Sequence, residues 1–181
     1  MGRLVGIRER NLDKRQVEIF GRKYVPYTSF IHKITYKHKL SMNAYGIDKN
    51  KESIKEYKKC IIFEAEKSVL KMDSIYGNNP SVAVGGSSVS EYQLNLLKVN
   101  GCEKVYLAFD REEGEKWENK LNKICQKIVN FNLECYIIED KNGKYLDLKQ
   151  SPIDEGEFVF LELYRSCLLY TSPSPRDRSL S

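Results

Sequence analysis

Between residues 60 and 140, four short apolar runs alternate with longer amphipathic segments, and that alternation leaves few folds open. "CIIF" (60–63), "SVAV" (81–84), "KVYLAF" (104–109) and "ECYIIE" (134–139) each have the length and composition of a buried strand. Between the first two, "EKSVLKMDSIYG" places Val69, Leu70, Met72 and Ile75 at helical spacing and ends on Gly77, which suits a helix C-cap. Ser90, with Gln93 three residues on, forms a capping box for a second helix that carries Tyr92, Leu94, Leu96, Leu97 and Val99 and stops at Asn100-Gly101. A third helix is predicted over Glu113 to Asn130, with Trp117, Leu121, Ile124, Ile128 and Val129 on its apolar stripe. Strands joined by helices of this length imply right-handed crossovers and an α/β domain with a mainly parallel sheet flanked by helices.

Residues 1–57 are less regular. "RLVGIRERNL" alternates like a strand, "QVEIFGRKYVPYTSF" reads as a hairpin or bend, and "KNKESIKEYKK" reads as a basic helix. Charge separates the two parts. Residues 1–59 hold 15 Lys or Arg against 6 Asp or Glu, a net of +9, whereas residues 60–166 hold 13 against 18, a net of −5. A basic half joined to an acidic half suggests a surface for a polyanion beside a surface for a cation.

Other classes are narrowed by what the sequence contains. No apolar stretch approaches the roughly 20 residues of a membrane span, and the N-terminus lacks the apolar core of a secretory signal. A cytoplasmic location with no membrane partner is the expectation. The five cysteines are scattered with no CxxC pair, and His32 and His38 are the only histidines, so no zinc constellation is predicted.

The acidic residues fall in a pattern. In open α/β sheets, ligands sit at the carboxyl ends of the strands. There "CIIF" delivers Glu64, "SVAV" delivers the Gly85-Gly86-Ser87-Ser88 turn, and "KVYLAF" delivers Asp110 and Glu112. Three carboxylates in one small space repel unless a cation joins them, and Mg²⁺ suits hard oxygen ligands together with substrate phosphates. A glycine turn ahead of a helix is also a phosphate-binding arrangement. The same residues admit a plainer reading. Asp110 can cap the helix that follows, with Glu113 at the capping-box position and Glu112 and Glu115 favoured by the helix dipole.

"IIFEAEKSVL", "VAVGGSSVSEYQLNLL" and "VYLAFDRE" together resemble a TOPRIM domain, with the nearest likeness to the DnaG-type DNA primases of bacteria and phages. The resemblance implies that Glu64, Asp110 and Glu112 are the catalytic, Mg²⁺-holding carboxylates, with Mn²⁺ able to substitute. It implies that Gly85, Gly86 and Ser87 form the nucleotide-side loop. Upstream, "GRLVGIRERNL", "RKYVPY" and "HKLSMNAYGIDKNKESIK" resemble the part of the primase core that precedes TOPRIM, so residues 1–57 are expected to be the end of a basic polymerase subdomain and 58–166 the TOPRIM domain with its acidic continuation. Arg10, Lys23 and Lys39 then fall where template and nucleotides are contacted. Downstream, "YLDLKQSPIDEG" resembles the third metal-binding segment.

The match has departures. Ala65 and Arg111 stand where glycine is common, Glu112 replaces an aspartate, and Ser68 occupies an often acidic position. Gln150 sits where an aspartate is expected, which leaves Asp147 and Asp154 as the substitutes for a second metal position. Residues 167–177, "CLLYTSPSPRD", back-translate into a string that resembles a transposon adapter of sequencing libraries. Residues 167–181 are therefore expected to be adapter read-through rather than native sequence, with the natural chain continuing differently after about Ser166.

The implied activity is metal-dependent synthesis of RNA primers on single-stranded DNA from ribonucleoside triphosphates, a nucleotidyltransferase reaction. A zinc module and a segment that binds the replicative helicase would belong to the full-length protein. Two alternatives remain: an OLD-type TOPRIM nuclease, and a non-catalytic nucleic-acid-binding module with a degenerate metal site.

Overall fold

A computed structural model describes residues 4–21 and 24–170. The chain divides into two compact units, one up to Leu40 and one from Ser41 onward.

In the first unit, β1 (Arg8–Arg10) pairs antiparallel with β2 (Tyr24–Pro26) around a short helix, α1 (Lys14–Phe20), and β3 (Thr28–Ser29) pairs with β4 (Ile34–Thr35) as a hairpin. The hairpin or bend expected over residues 16–30 is thus a helix in its first part. Asp13 accepts the Arg15 N–H at 2.9 Å as an N-cap, and Gly21 closes the helix in the left-handed region at φ 64°. Two local signals on either side of "KRQVEIF" outweigh its β-branched content.

The second unit is built on a five-stranded sheet. It comprises α2 (Ile47–Tyr57), β5 (Lys59–Phe63), α3 (Glu66–Tyr76), β6 (Ser81–Ala83), α4 (Glu91–Val99), β7 (Lys104–Leu107), α5 (Glu115–Asn130), β8 (Glu134–Ile137), α6 (Glu157–Arg165) and β9 (Leu168–Leu169). The strand order is β6-β5-β7-β8-β9, with the first four parallel and β9 antiparallel to β8. Side chains alternate between the two faces, as the pleat requires. Cys60, Ile62, Val105, Leu107 and Cys135 pack with residues of α2, α4 and α5, including Ile54, Leu94, Leu97, Leu121, Ile124 and Ile128. Ile61 and Phe63 pack on the other face with Val69 and Met72 of α3 and Phe160 and Leu163 of α6. Both faces are covered, which is why the strands read as continuous apolar runs.

The sequence-predicted elements lie close to where the periodicity puts them. The Ser90–Gln93 capping box is formed on both sides, at 3.1 and 2.9 Å. The third helix starts at Glu115 rather than Glu113, because Gly114 at φ 95° is its N-cap and supplies no side chain. Residues 168–170 lie along the sheet edge: Leu168 and Leu169 pair with Ile137 and Tyr136, and the Tyr170 N–H donates to the Cys135 carbonyl at 2.8 Å. Backbone groups on that edge of β8 would otherwise be unpaired. Residues 171–181 lie outside the described residues.

Candidate metal centre

Pairing runs past the assigned strand ends and fixes the carboxylates. The Val84 N–H donates to the Phe63 carbonyl at 3.0 Å, the Gly85 N–H to the Glu64 carbonyl at 2.9 Å, and the Ala108 N–H to the Ile62 carbonyl at 2.9 Å. Glu64 therefore leaves the carboxyl end of β5 between the Gly85 turn on one side and the Asp110 segment on the other. Gly85 takes φ 80°, which favours glycine at this sharp exit from β6. Ser87 accepts a hydrogen bond from Lys120 of α5.

Glu64, Asp110 and Glu112 lie close enough to act on one another's charge. Glu64 is half-buried, and its carboxyl is pushed up from its ordinary 4.5 to about 7. Burial is the largest cause, followed by the charges of Asp110 and Glu112; the Asp110 backbone N–H and the Lys120 ammonium act in the opposite direction. Asp110 is also raised, by burial first and then by Asp154 and Glu112, with Lys67 and Lys149 opposing. Glu64 Oε1 is buried with no hydrogen-bond partner among the described residues. A buried oxygen of this kind is costly unless something pairs with it. Among the described residues, no three His, Cys, Asp or Glu side chains converge as a ready-made metal cage. Glu112 turns to Lys149, at 2.7 Å.

Asp110 is not a helix cap. Gly114 caps α5, and no side chain caps that helix N-terminus, so the plainer reading of Asp110 loses its geometry.

The third segment docks beside this site. The Arg111 N–H donates to the Gln150 carbonyl and the Lys149 N–H to the Arg111 carbonyl, both at 2.8 Å. Of the two substitutes considered for a second metal position, Asp147 is exposed, while Asp154 is electrostatically coupled to Asp110. Gln150 turns away, accepting from the Asp147 N–H at 2.7 Å and donating to Glu155 at 2.8 Å. Asp140 anchors the turn ahead of this segment by accepting the N–H groups of Lys144, Tyr145 and Leu146 at 3.0, 2.6 and 2.8 Å. Burial pushes Asp140 up, yet these bonds hold it below the usual carboxylate range. A cavity of about 300 Å³ opens beside Asp110 and Glu112, lined also by Phe109, Trp117 and Glu139 among others, and Glu64 does not line it.

The remaining expected contacts lie in the first unit. Arg10 is exposed on β1 with its guanidinium 6.0 Å from the Tyr24 ring, and Lys39 is exposed. Lys23 lies outside the described residues. Sequence reasoning missed Lys67, Lys71 and Lys149, the cations paired with the acidic residues. The four-residue spacing of Lys67 and Lys71 on α3 was the available signal.

The α/β fold matches that of DnaG-type primase catalytic cores. The Aquifex aeolicus primase structure (zinc-binding and RNA polymerase domains) superposes with a TM-score of 0.69 at 24% identity, over 93% of this chain and 38% of that one. A DnaG primase catalytic domain bound to single-stranded DNA gives a TM-score of 0.62 at 16% identity, over 91% of this chain and 48% of that one. In sequence, the chain is 38% identical over 177 residues to the SPbeta prophage-derived uncharacterized protein YorJ of Bacillus subtilis (strain 168), a match that covers 90% of this chain and 46% of YorJ. It is 24% identical over 149 residues to the DNA primase of Chlamydia muridarum (strain MoPn / Nigg), covering 78% of this chain and 25% of that protein. The chain thus spans less than half the length of these curated relatives. No family model matches. Among the described residues, no helix is long and apolar enough to cross a membrane.

Proposed function

We propose that this chain is the TOPRIM-bearing part of a DNA primase and that its carboxylates support RNA primer synthesis on single-stranded DNA. The observation that carries the reading is Glu64 Oε1, buried and unpartnered at a strand end where Asp110 and Glu112 also bring negative charge. Hard oxygen donors whose neighbouring charges raise the proton affinity of Glu64 and Asp110 fit a hard divalent cation. Glu64, Asp110 and Glu112 would hold Mg²⁺, with Mn²⁺ able to replace it. When bound, Mg²⁺ supplies Lewis acidity toward phosphate oxygens and the primer 3′-oxygen.

The chain's own residues do the rest. Burial of Glu64 at the end of β5 keeps that carboxylate poorly hydrated, so a cation is favoured over water. The Lys149 and Lys67 ammonium groups limit the repulsion between carboxylates before a substrate arrives. The Gly85-Gly86-Ser87 turn, whose Gly85 N–H is taken by the Glu64 carbonyl, offers the Gly86 and Ser87 N–H groups and a hydroxyl at the same edge, suited to phosphate oxygens. Arg10, Lys23 and Lys39 would attract the template strand and nucleotides by charge. A replicative helicase is the partner expected of the full-length protein. The single-stranded DNA in the structural neighbour supports the template class.

Template-directed incorporation of labelled ribonucleotides on single-stranded DNA with Mg²⁺ tests the reading. Incorporation that falls at least about a hundredfold in Asp110→Asn is the expected result. Strand cleavage instead of incorporation favours the nuclease alternative. Metal-independent DNA binding with no chemistry overturns the enzyme reading in favour of a binding module.

A further inference from the structure

Asp154 does not wait for a metal ion; it is already gripped by two cations. Lys67 Nζ lies 2.8 Å from Asp154 Oδ2, and Lys71 Nζ, one turn further along α3, lies 3.0 Å from Oδ1 and 3.0 Å from the Asp154 carbonyl oxygen. The Ser151 N–H donates to Oδ2 at 3.2 Å. The Asp154 side chain is only 11% exposed while the two lysines keep 41% and 38% of theirs exposed, so a sheltered carboxylate is held by cations that reach it from the surface. Burial alone would push its carboxyl up, yet the two ammonium groups hold it below the usual range.

The group beside the triad is neutral. Ser68, fully buried on α3, and Ser151, buried in the third segment, are hydrogen-bonded hydroxyl to hydroxyl at 2.9 Å. Both lie on elements that also carry charged residues of the cluster, Lys67 and Lys71 on α3 and Asp154 in the third segment, and neither offers an anionic ligand. Charge counting then decides between one ion and two. Glu64, Asp110, Glu112 and Asp154 carry four negative charges when ionised. Lys67, Lys71 and Lys149 return three. One divalent ion more than neutralises the remainder, and a second would leave the cluster strongly positive while displacing lysines from sheltered pairs.

We infer that Lys67 and Lys71 are built-in cations standing in place of a second divalent ion, so that the site holds a single Mg²⁺ at Glu64, Asp110 and Glu112. The inference rests on the metal-dependent reading above and deepens it. An ammonium group supplies positive charge and hydrogen bonds but no Lewis-acidic coordination. Asp154 is accordingly a positioning residue that holds Lys67 within electrostatic reach of Asp110 and pairs Lys71 one turn further along α3.

The test counts Mn²⁺ bound to the full chain by EPR titration, with thermal unfolding to confirm that each variant is folded. The parent is expected to bind one ion, Asp154→Asn still one, and the double variant Lys67→Met/Lys71→Met a second ion, or the first with affinity on the order of tenfold higher. Two ions in the parent, with one lost in Asp154→Asn, would overturn the inference while sparing the metal site. So would a folded double variant whose ion count and affinity match the parent. If the double variant does not fold, Asp154→Asn decides alone: retention of one ion supports the inference and loss of an ion overturns it. No Mn²⁺ binding, or binding indifferent to Asp110→Asn, refutes the underlying metal reading and the inference with it.

Discussion

Replacing Glu64 by Gln should stabilise the metal-free protein, and only at neutral and alkaline pH. The parent's carboxyl is raised from 4.5 to about 7, chiefly by burial and then by Asp110 and Glu112. A raised carboxylate means the folded state holds a proton that the unfolded chain has already released. Between pH 4.5 and about 7 the parent therefore loses stability as pH rises; the cost is absent below that window and complete above it. At about 1.36 kcal/mol per pH unit, the shift corresponds to about 3 kcal/mol, and solvent screening of a half-buried group reduces it to about 2 kcal/mol. Gln keeps the shape and can still accept the Asp110 N–H, but it carries no charge. Thermal melts in EDTA should therefore coincide for parent and Glu64→Gln at pH 4. At pH 8 the variant should melt about 4–8 °C higher. Saturating Mg²⁺ at pH 8 should raise the parent's melting temperature and leave the variant's nearly unchanged. Parallel Tm curves for the two proteins across the whole pH range would refute the claim that Glu64 is a strained, desolvated carboxylate.

Three further outcomes follow from contacts elsewhere. Asp140→Ala removes the acceptor of three backbone N–H groups and should cost about 2–3 kcal/mol in urea unfolding, with the largest loss of hydrogen-exchange protection at residues 144–146. Ser68→Ala leaves the buried Ser151 hydroxyl unpaired and should cost about 1–2 kcal/mol, whereas Ser68→Ala combined with Ser151→Ala should cost less than the sum of the two single changes. Arg10→Ala should weaken binding of single-stranded DNA similarly for all sequences and reduce the slope of log affinity against log salt by about 1, measured by fluorescence anisotropy.

The sheet was legible because burial on both faces turns parallel strands into apolar runs, and "CIIF", "SVAV" and "ECYIIE" needed no tertiary knowledge to be recognised. The helices α3 to α5 followed from spacing and from caps such as Ser90 with Gln93. Residues 14–20 were not legible in the same way, because a seven-residue helix shows too little periodicity and its signals are the flanking Asp13 and Gly21. The start of α5 was displaced by two residues because Glu113 and Glu115 look alike in sequence, while the backbone conformation at Gly114 decides the cap. For the candidate site, the strand ends delivered Glu64 and Asp110 to one edge as the alternation required. What spacing could not show was pairing: Lys67 and Lys71 meet Asp154 across more than 80 residues of chain, and Ser68 meets Ser151 across a similar gap. Such contacts depend on how the third segment folds back against Arg111, which no local pattern encodes.

The central claim is that Glu64, Asp110 and Glu112 form a divalent-cation site, and Mn²⁺ binding measured by EPR on the parent chain and on Asp110→Asn tests it most directly. The parent is expected to bind Mn²⁺ at least about tenfold more tightly than the variant, equivalent to about 1.4 kcal/mol. Equal and weak binding in both proteins would contradict it.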